Sequence, residues 1–242
     1  MMANTAPHLN SLAGVVILAG GASKRMGVPK AELTLPTGER LLDYHVRHVL
    51  ELKAAAENAT DFNIPIMIAD NERGFTVDLD LSLGNPQSPI MHITDYNPVN
   101  DDEQSDNGGA LVAIESALQT LAKLTDAMPN QKSGSSWLLV ISCDSLIPAT
   151  DLWQKLQPVI SQAADKKVVC LTDDSYLYPL LGLYRLSTEA DLKAYIDSGQ
   201  RRVMSFIKPL TQAVPLIENW QHLTNFNTPE DFQRACAALS DL

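Results

Sequence analysis

The sequence predicts an α/β fold, a doubly wound, mostly parallel sheet with helices on both faces. Two observations carry this prediction. Short runs of apolar, largely β-branched residues lack the alternation of a half-exposed strand, and stretches of helical period separate several of them. A glycine-rich turn directly follows the first apolar run, where open α/β sheets place their ligands. Because the alternation continues without a hinge-like linker, we expect a single domain over 1–242.

Five short apolar runs are predicted to be buried strands. Their near-continuous hydrophobicity is what a parallel strand needs when helices cover both of its faces. The five runs are Ala13–Ala19, Ile64–Ala69, Ile90–Thr94, Trp137–Ser142 and Lys167–Leu171.

Apolar residues spaced three and four apart predict helices between and after these strands. The first helix is predicted over Leu41–Ala56, and two further stripes run from Leu111 to Leu124 and from Leu152 to Ile160. The first stripe comprises Leu42, His45, Val46, Val49 and Leu50.

The last predicted helix has the clearest start. Thr228 offers a hydroxyl as the N-cap and Pro229 suits the first helical position, while Asp231 can bond back to the cap. We therefore expect a helix to begin directly after Thr228.

The composition excludes several classes of protein. The chain has 242 residues, a formal net charge of −11 and 45% hydrophobic residues, which is ordinary for a globular protein and not for a disordered or collagen-like one. The acidic balance argues against a protein that binds nucleic acid or anionic membranes through basic surface.

The cysteines and the apolar stretches indicate the cellular compartment in which we expect the protein. Cys143, Cys170 and Cys236 are widely spaced and form no CxxC pair, so neither a zinc site nor a disulfide framework is indicated. Three free thiols fit a reducing compartment, and we expect the cytoplasm. No stretch approaches the roughly 20 apolar residues of a membrane-spanning helix. No basic residue precedes the apolar stretch 12–22, as a secretory signal requires.

The stretch from Leu18 to Lys30 (LAGGASKRMGVPK) is the most informative part of the sequence. The adjacent Gly20 and Gly21 allow the backbone to approach a phosphate or base closely, and successive N–H groups can bind an anion. Arg25 and Lys30 add positive charge nearby. The stretch matches neither a Walker A loop nor the GxGxxG fingerprint. From these residues alone, a nucleotide site and a solvated basic turn both remain open.

This turn resembles the signature loop of the nucleotidyltransferases that activate sugars, isoprenoid precursors and molybdopterin. Two later segments, Gly199–Phe206 (GQRRVMSF) and Asn225–Phe232 (NFNTPEDF), resemble blocks of the molybdenum cofactor guanylyltransferases. Leu180–Arg185 resembles a strand of the same family. The resemblance extends from about Gly14 nearly to the end of the chain and implies a Rossmann-like nucleotidyltransferase fold.

The family's reaction is what the resemblance implies for this chain. The terminal phosphate of molybdopterin attacks the α-phosphorus of GTP, pyrophosphate leaves, and the guanine dinucleotide form of the cofactor results. Such a transfer depends mainly on positioning and charge neutralisation, for which Mg²⁺ held by few carboxylates is suited. The resemblance implies nucleotide binding mainly in 13–125, metal and acceptor binding in 137–238, and partner proteins that carry or deliver the cofactor.

The resemblance also assigns roles to individual residues. Asp144 is implied to bind Mg²⁺ and the nucleotide, and Arg25 and Lys30 to act in catalysis beside the triphosphate. The implied nucleotide-binding residues are Leu18, Ala19, Gly20, Gly21, Lys30, Asn71, Asp95 and Asp144. The implied acceptor-binding residues are Arg201, Arg202, Asn225 and Asn227. By residue type alone, the Asp and Asn residues also fit turns or caps, and the arginine pair also fits a solvated helix start.

Both implied substrates are anionic, yet one part of the chain is strongly acidic. Residues 61–120 hold eleven acidic residues and a single base, Arg73. We expect most of this acidity on the solvated surface away from the triphosphate, including the polar loop Asn97–Gly109. Asp95 is the expected exception, because a nearby Mg²⁺ would balance its charge.

Some positions depart from the family's pattern and keep other functions open. Gly109–Ala113 reads GALVA where the family usually has GPLAG, Leu146 replaces a proline, and Pro29 stands where the guanylyltransferases commonly have Asp. The alternatives are a molybdopterin cytidylyltransferase, a sugar- or isoprenoid-phosphate nucleotidyltransferase, and a non-catalytic nucleotide-binding module in cofactor delivery. The presence of both Lys30 and Asp144 argues against the last.

Overall fold

The computed structural model describes residues 11–21, 23–54, 64–85, 88–97, 109–126, 136–163, 165–173 and 175–240. Within them, seven strands form one sheet in the order β3-β2-β1-β4-β6-β5-β7. The strands are β1 Leu12–Leu18, β2 Ile66–Ala69, β3 Ile90–Ile93, β4 Trp137–Ser142, β5 Val168–Thr172, β6 Leu177–Arg185 and β7 Thr211–Pro215. The α-helices are α1 Leu41–Ala54, α2 Leu79–Leu83, α3 Gly109–Asp126, α4 Ala149–Leu156, α5 Glu189–Asp197, α6 Val203–Ile207 and α7 Pro229–Leu239.

The sheet is mostly parallel, as predicted. β1 pairs in parallel with β2 on one side and with β4 on the other. β3 is parallel to β2, and β7 is parallel to β5. β6 is the exception, because it runs antiparallel between β4 and β5. All five predicted strands are present, and each begins and ends within two residues of its predicted bounds.

Helices cover both faces of the sheet, which explains why its central strands are almost continuously apolar. Val15 and Ile17 of β1 belong to the core that contains residues of α1 and α4. Val16, between them, belongs to the second core, which contains residues of α3, α5 and α6. Each fully buried aliphatic side chain of this kind contributes roughly 1.5–3 kcal/mol. The predicted doubly wound arrangement is confirmed.

The first helical stripe is confirmed, and the other two end earlier than predicted. The third belongs to α4 only as far as Leu156, because Val159 and Ile160 lie in the 3-10 helix that follows. The five predicted stripe residues of α1 are all buried, including His45, which packs in the core. The stripe of α3 ends at Leu121, because Leu124 lies in the last helical turn and is 39% exposed. The predicted cap at the start of α7 is present as a capping box. In it, the side chains of Thr228 and Asp231 each accept a hydrogen bond from the other residue's backbone N–H group. No helix in the described part of the chain is long and apolar enough to cross a membrane.

The strand order determines where a ligand can enter. Chain connections leave β1 toward β2 on one side, whereas β4 lies on its other side, so the order reverses between β1 and β4. In open α/β sheets, the crevice outside the carboxyl ends of the strands at such a reversal receives the ligand. The glycine-rich turn follows β1 at this point, and Asp144 follows β4.

Candidate active site

A cavity of about 670 Å³ opens at the carboxyl ends of β1, β2 and β4. Backbone and side chains from both halves of the chain line it, so residues distant in sequence meet here. Ten of the predicted site residues are among its lining: Leu18, Ala19, Gly20, Gly21, Arg25, Lys30, Asn71, Asp95, Asp144 and Asn227.

The glycine-rich turn is fixed to the end of β2. The amides of Ala19 and Gly20 both donate to the carbonyl of Ala69, at 2.8 and 3.0 Å. A Cβ on Gly20 would lie only 2.9 Å from the Cβ of Asn71, so this close approach requires glycine. Farther along, the hydroxyl of Ser23 accepts a hydrogen bond from the amide of Lys30 at 3.2 Å. The turn is therefore held at both of its ends.

Lys30 joins the glycine-rich turn to the far side of the cavity. Its Nζ lies 3.1 Å from Oδ1 of Asn227 and 3.5 Å from Oδ2 of Asp144. The ammonium also lies 5.7 Å from the ring centre of Phe226. The side chain of Lys30 is 15% exposed and that of Asp144 is 26% exposed, so both can reach a ligand in the cavity.

Backbone contacts on two sides fix the segment that carries Asp144. The amide of Cys143 donates to the carbonyl of Leu18 at 3.1 Å, and the carbonyl of Asp144 accepts from the amide of Phe226 at 3.3 Å. Burial raises the pKa of the Cys143 thiol to about 12, so this side chain stays a neutral thiol. Cys143, Cys170 and Cys236 are all free, as the sequence predicted, and all three are buried.

The start of α7 positions Asn227. The carboxylate of Asp231 accepts from the amides of Asn227 and Thr228, both at 3.1 Å. Asn225, which is left-handed with a φ of 55°, accepts a hydrogen bond from the side-chain amide of Asn227 on its carbonyl at 3.0 Å. The capping box therefore fixes the backbone just before the helix, which places the Asn227 side chain beside Lys30.

The loop after β2 supplies Asn71 in an unusual conformation. Asn71 and Glu72 have φ values of 55° and 58°, in the left-handed region that disfavours side chains. The buried carboxylate of Asp70 supports this loop by accepting from the amide of Phe75 at 3.0 Å and by contacting Nδ1 of His92 at 3.1 Å. These contacts hold Asn71 against the glycine-rich turn.

Asp95 lies beyond β3 and is half-buried in the cavity lining. Burial raises the pKa of its carboxyl, and the carboxylates of Glu72 and Asp70 raise it further. Positive charge placed near Asp95 would offset this repulsion and favour the ionised form.

Two acidic residues in 61–120 lie away from the solvated surface on which we expect most of this acidity. Asp70 and Glu115 are buried, at 2% and 0% exposure. Asp70 accepts a hydrogen bond from the amide of Phe75, and Glu115 accepts one from the side-chain amide of Gln119 at 3.0 Å. Burial raises the pKa of the Glu115 carboxyl, and the nearby carboxyl of Glu189 raises it further. Glu72, Asp78 and Asp80 are exposed, while most of the predicted loop 97–109 lies outside the described residues.

Three predicted residues are not part of the cavity lining: Arg201, Arg202 and Asn225. The guanidinium of Arg201 donates to the carbonyls of Ile196 and Gln200, at 2.6 and 2.9 Å, and so closes the end of α5. The carbonyl of Arg202 accepts from the hydroxyl of Tyr195 at 3.0 Å. Their acceptor-binding role stays a prediction.

Several lining residues were not predicted from the sequence. Arg73 donates through Nη1 to the carbonyl of Gly21 at 2.9 Å, and Ser23 closes the turn as described above. Gly109 begins α3 with a φ of 63°, which suits a residue without a side chain. The one sequence signal for Arg73 was its isolation, as the only base in 61–120 and two residues after Asn71.

Comparisons with known proteins identify the family of this chain. The sequence matches the MobA-like NTP transferase domain over residues 15–214. A molybdenum cofactor guanylyltransferase from Shewanella baltica is 25% identical over 241 residues, covering 96% of this chain and 100% of that protein. One from Shewanella halifaxensis is 28% identical over 125 residues, which are 51% of this chain and 61% of the relative.

A solved structure is also similar. Molybdopterin-guanine dinucleotide biosynthesis protein A from Archaeoglobus fulgidus matches with a TM-score of 0.59 at 20% identity, covering 95% of this chain and 100% of that one. The fold is that of a nucleotidyltransferase. Since the family match spans most of the sequence, the chain belongs to the MobA-like NTP transferase family.

Proposed function

We propose that this enzyme transfers GMP from GTP to the terminal phosphate of molybdopterin, releasing pyrophosphate and forming molybdopterin guanine dinucleotide. The meeting of Lys30, Asp144 and Asn227 beside the glycine-rich turn carries the proposal, because it combines a cation, a carboxylate and an amide at one point. The names of the curated relatives support the choice of substrates.

The nucleotide binds along the glycine-rich turn. The backbone of Leu18–Gly21 contacts the base and ribose, and Asn71 and Asp95 add side-chain contacts from the same wall of the cavity. Arg25 and Lys30 offset the negative charge of the triphosphate. Local positive charge at this turn therefore allows an acidic chain to bind an anionic substrate.

Asp144 is the residue that would hold Mg²⁺. The described residues contain no group of three or more His, Cys, Asp or Glu side chains that converge on one point. Mg²⁺ does not need such a group, because it is commonly bound by one or two carboxylates, with water and substrate phosphates completing its shell. The partly exposed carboxylate of Asp144 in the cavity fits this donor set. When bound, the ion supplies charge neutralisation at the phosphate oxygens.

The acceptor approaches from the side of the cavity formed by Asn227 and Asp144. Asn227 contacts Lys30, so a phosphate bound there lies near the cation that also faces the triphosphate. Arg201, Arg202 and Asn225 complete the acceptor site from outside the cavity lining. In this proposal a carrier or delivery protein supplies molybdopterin, and the reaction takes place in the cytoplasm.

A panel of α-³²P-labelled nucleoside triphosphates tests the proposal, with molybdopterin supplied on its carrier protein. Label is expected to reach the cofactor from GTP and not from CTP, ATP or UTP. Transfer from CTP instead would contradict the proposal and indicate a cytidylyltransferase. Nucleotide binding without transfer from any of the four would indicate a non-catalytic module. Asp144→Asn in the same assay controls for transfer by a contaminating enzyme.

A further inference from the structure

The loop after β2 and the glycine-rich turn are in direct contact at two successive positions. Gly20 lies against Asn71 so closely that no Cβ would fit between them. One residue later, the guanidinium of Arg73 donates through Nη1 to the carbonyl of Gly21 at 2.9 Å. The first contact is steric and the second is a charge-assisted hydrogen bond, which is stronger than a neutral one.

The conformation of the loop brings Arg73 to this position. Two consecutive left-handed residues, Asn71 and Glu72, reverse the chain after β2, and Gly74 follows with a φ of 68°. Asp70 holds the two ends of the reversal together through the amide of Phe75. An unfavourable backbone that surrounding contacts maintain is often found at a functional site.

Arg73 lies on a different segment of the chain from the other basic residues of the cavity. Lys24, Arg25 and Lys30 all belong to the glycine-rich turn. Arg73 reaches the cavity from the neighbouring loop, beside Asn71, and binds the turn from outside. This hydrogen bond holds the Gly21 carbonyl against the loop after β2.

We propose that Arg73 is a positioning residue, which holds the Gly21 carbonyl so that the glycine-rich turn keeps the conformation that receives the nucleotide. The inference rests on the proposed function to the extent that a nucleoside triphosphate is the substrate. A guanidinium donates from a rigid planar fork, whereas an ammonium is a point charge on a flexible stem. Geometry and charge can therefore be separated by comparing Arg73→Lys with Arg73→Gln.

The test measures equilibrium binding of the triphosphate that the wild-type enzyme binds best, without acceptor, and then KM and kcat. Both variants are expected to weaken nucleotide binding about tenfold and to raise KM similarly, with kcat changed less than about threefold. Lys208→Gln is the control, because it removes one positive charge outside the cavity lining and is expected to bind like wild type. Arg73 is exposed, so thermal unfolding midpoints are expected to stay within about 2 °C.

Three results would overturn the inference. They are binding by Arg73→Gln within twofold of wild type, full recovery of binding by Arg73→Lys, and an equal loss in Lys208→Gln. Arg73→Lys, which keeps the charge, serves alone if Arg73→Gln does not fold. A different result would contradict the proposed function: wild-type enzyme would bind the triphosphate but transfer no nucleotide to molybdopterin.

Discussion

The two sides of the cavity are held in place by different means. The β2 side, formed by Asn71, Arg73 and Asp95, depends on the shape of its loops, including left-handed residues and backbone contacts with the adjacent turn. The β4 side, formed by Asp144 and Asn227, depends on side chains that meet across the molecule. Lys30 and Asn227, which share a hydrogen bond, are 197 residues apart in sequence.

This difference separates two kinds of effect. On the β4 side a cation and a carboxylate lie together, so changes there alter charge where the phosphates react and are expected to act on turnover. On the β2 side the contacts set the shape of a turn, so changes are expected to act on nucleotide binding and on stability. The following variants test this division, beginning with the largest expected effect.

Asp144→Asn should produce the largest loss, on the β4 side. The variant keeps the shape of the side chain but removes the charge that would bind the metal. We expect turnover to fall by roughly 10²–10³-fold, corresponding to about 3–4 kcal/mol of lost transition-state stabilisation. GMP transfer measures this, and an unfolding midpoint close to that of wild type shows that the fold is kept. Near-wild-type turnover would remove Asp144 from the mechanism.

Lys30→Gln should produce the next largest loss. It removes the cation that contacts both Asp144 and Asn227, and kcat/KM is expected to fall by about 10²-fold. Steady-state kinetics measure the loss. Lys123→Gln is the matched control, because Lys123 is exposed on α3 and absent from the cavity lining. A similar decrease in both variants would show that net charge, and not the position of Lys30, matters.

Gly20→Ala tests how closely the glycine-rich turn packs against the β2 side, and Gly21→Ala is the control variant. A Cβ on Gly20 would meet Asn71 at 2.9 Å, whereas one on Gly21 would have no atom within 4 Å. We expect Gly20→Ala to lower the free energy of unfolding by about 1–3 kcal/mol and Gly21→Ala to change it by less than about 0.5 kcal/mol. Denaturant unfolding measures both. Equal values would show that the turn can move away from Asn71 at little cost.

His45 makes the β4 side sensitive to acid, with the smallest expected effect. It is fully buried on α1 near the backbone of Ser145, and burial lowers its pKa from 6.5 to about 3. Below pH 6.5 the unfolded chain therefore binds a proton that the folded chain does not. Between pH 7.5 and 5.5, this group should lower the free energy of unfolding by about 1.4 kcal/mol.

The comparison variant is His45→Leu, which lacks the titrating group. Because carboxyl groups also titrate, the measured quantity is the difference between the two proteins in their loss of unfolding free energy from pH 7.5 to 5.5. A loss in His45→Leu as large as that of wild type would contradict the assignment to His45.

The central strands could be predicted from sequence, and the shorter elements could not. Buried parallel strands need near-continuous hydrophobicity, and this pattern allowed β1 to β5 to be predicted from the sequence. β7 (TQAVP) lies at the sheet edge, mixes polar and apolar residues and ends in proline, so it resembles a loop. α2 and α6 have five residues each, too few for a helical period to show. β6 was indicated by the family resemblance and is confirmed as a strand.

The residues of the candidate site also divide into those that the sequence could predict and those that it could not. Gly20 could be predicted as a site residue, because a glycine after a strand itself indicates that the backbone approaches another group closely. Asp70 and Arg73 could not, because an acid and a base after a strand ordinarily indicate a solvated turn. Their contacts depend on how two loops meet, which no local pattern records. Arg201 shows the converse, since a motif drew attention to a side chain that bonds to the end of its neighbouring helix.

The contact between Lys30 and Asn227 also has a consequence for the order in which the protein is made. Closing so long a stretch of chain carries an entropic cost, which the packing of the intervening sheet offsets. During synthesis, Lys30 leaves the ribosome 197 residues before Asn227. The cation therefore gains its amide partner only after the seven strands described above have been made, and a nascent chain that lacks Asn227 cannot assemble the full site.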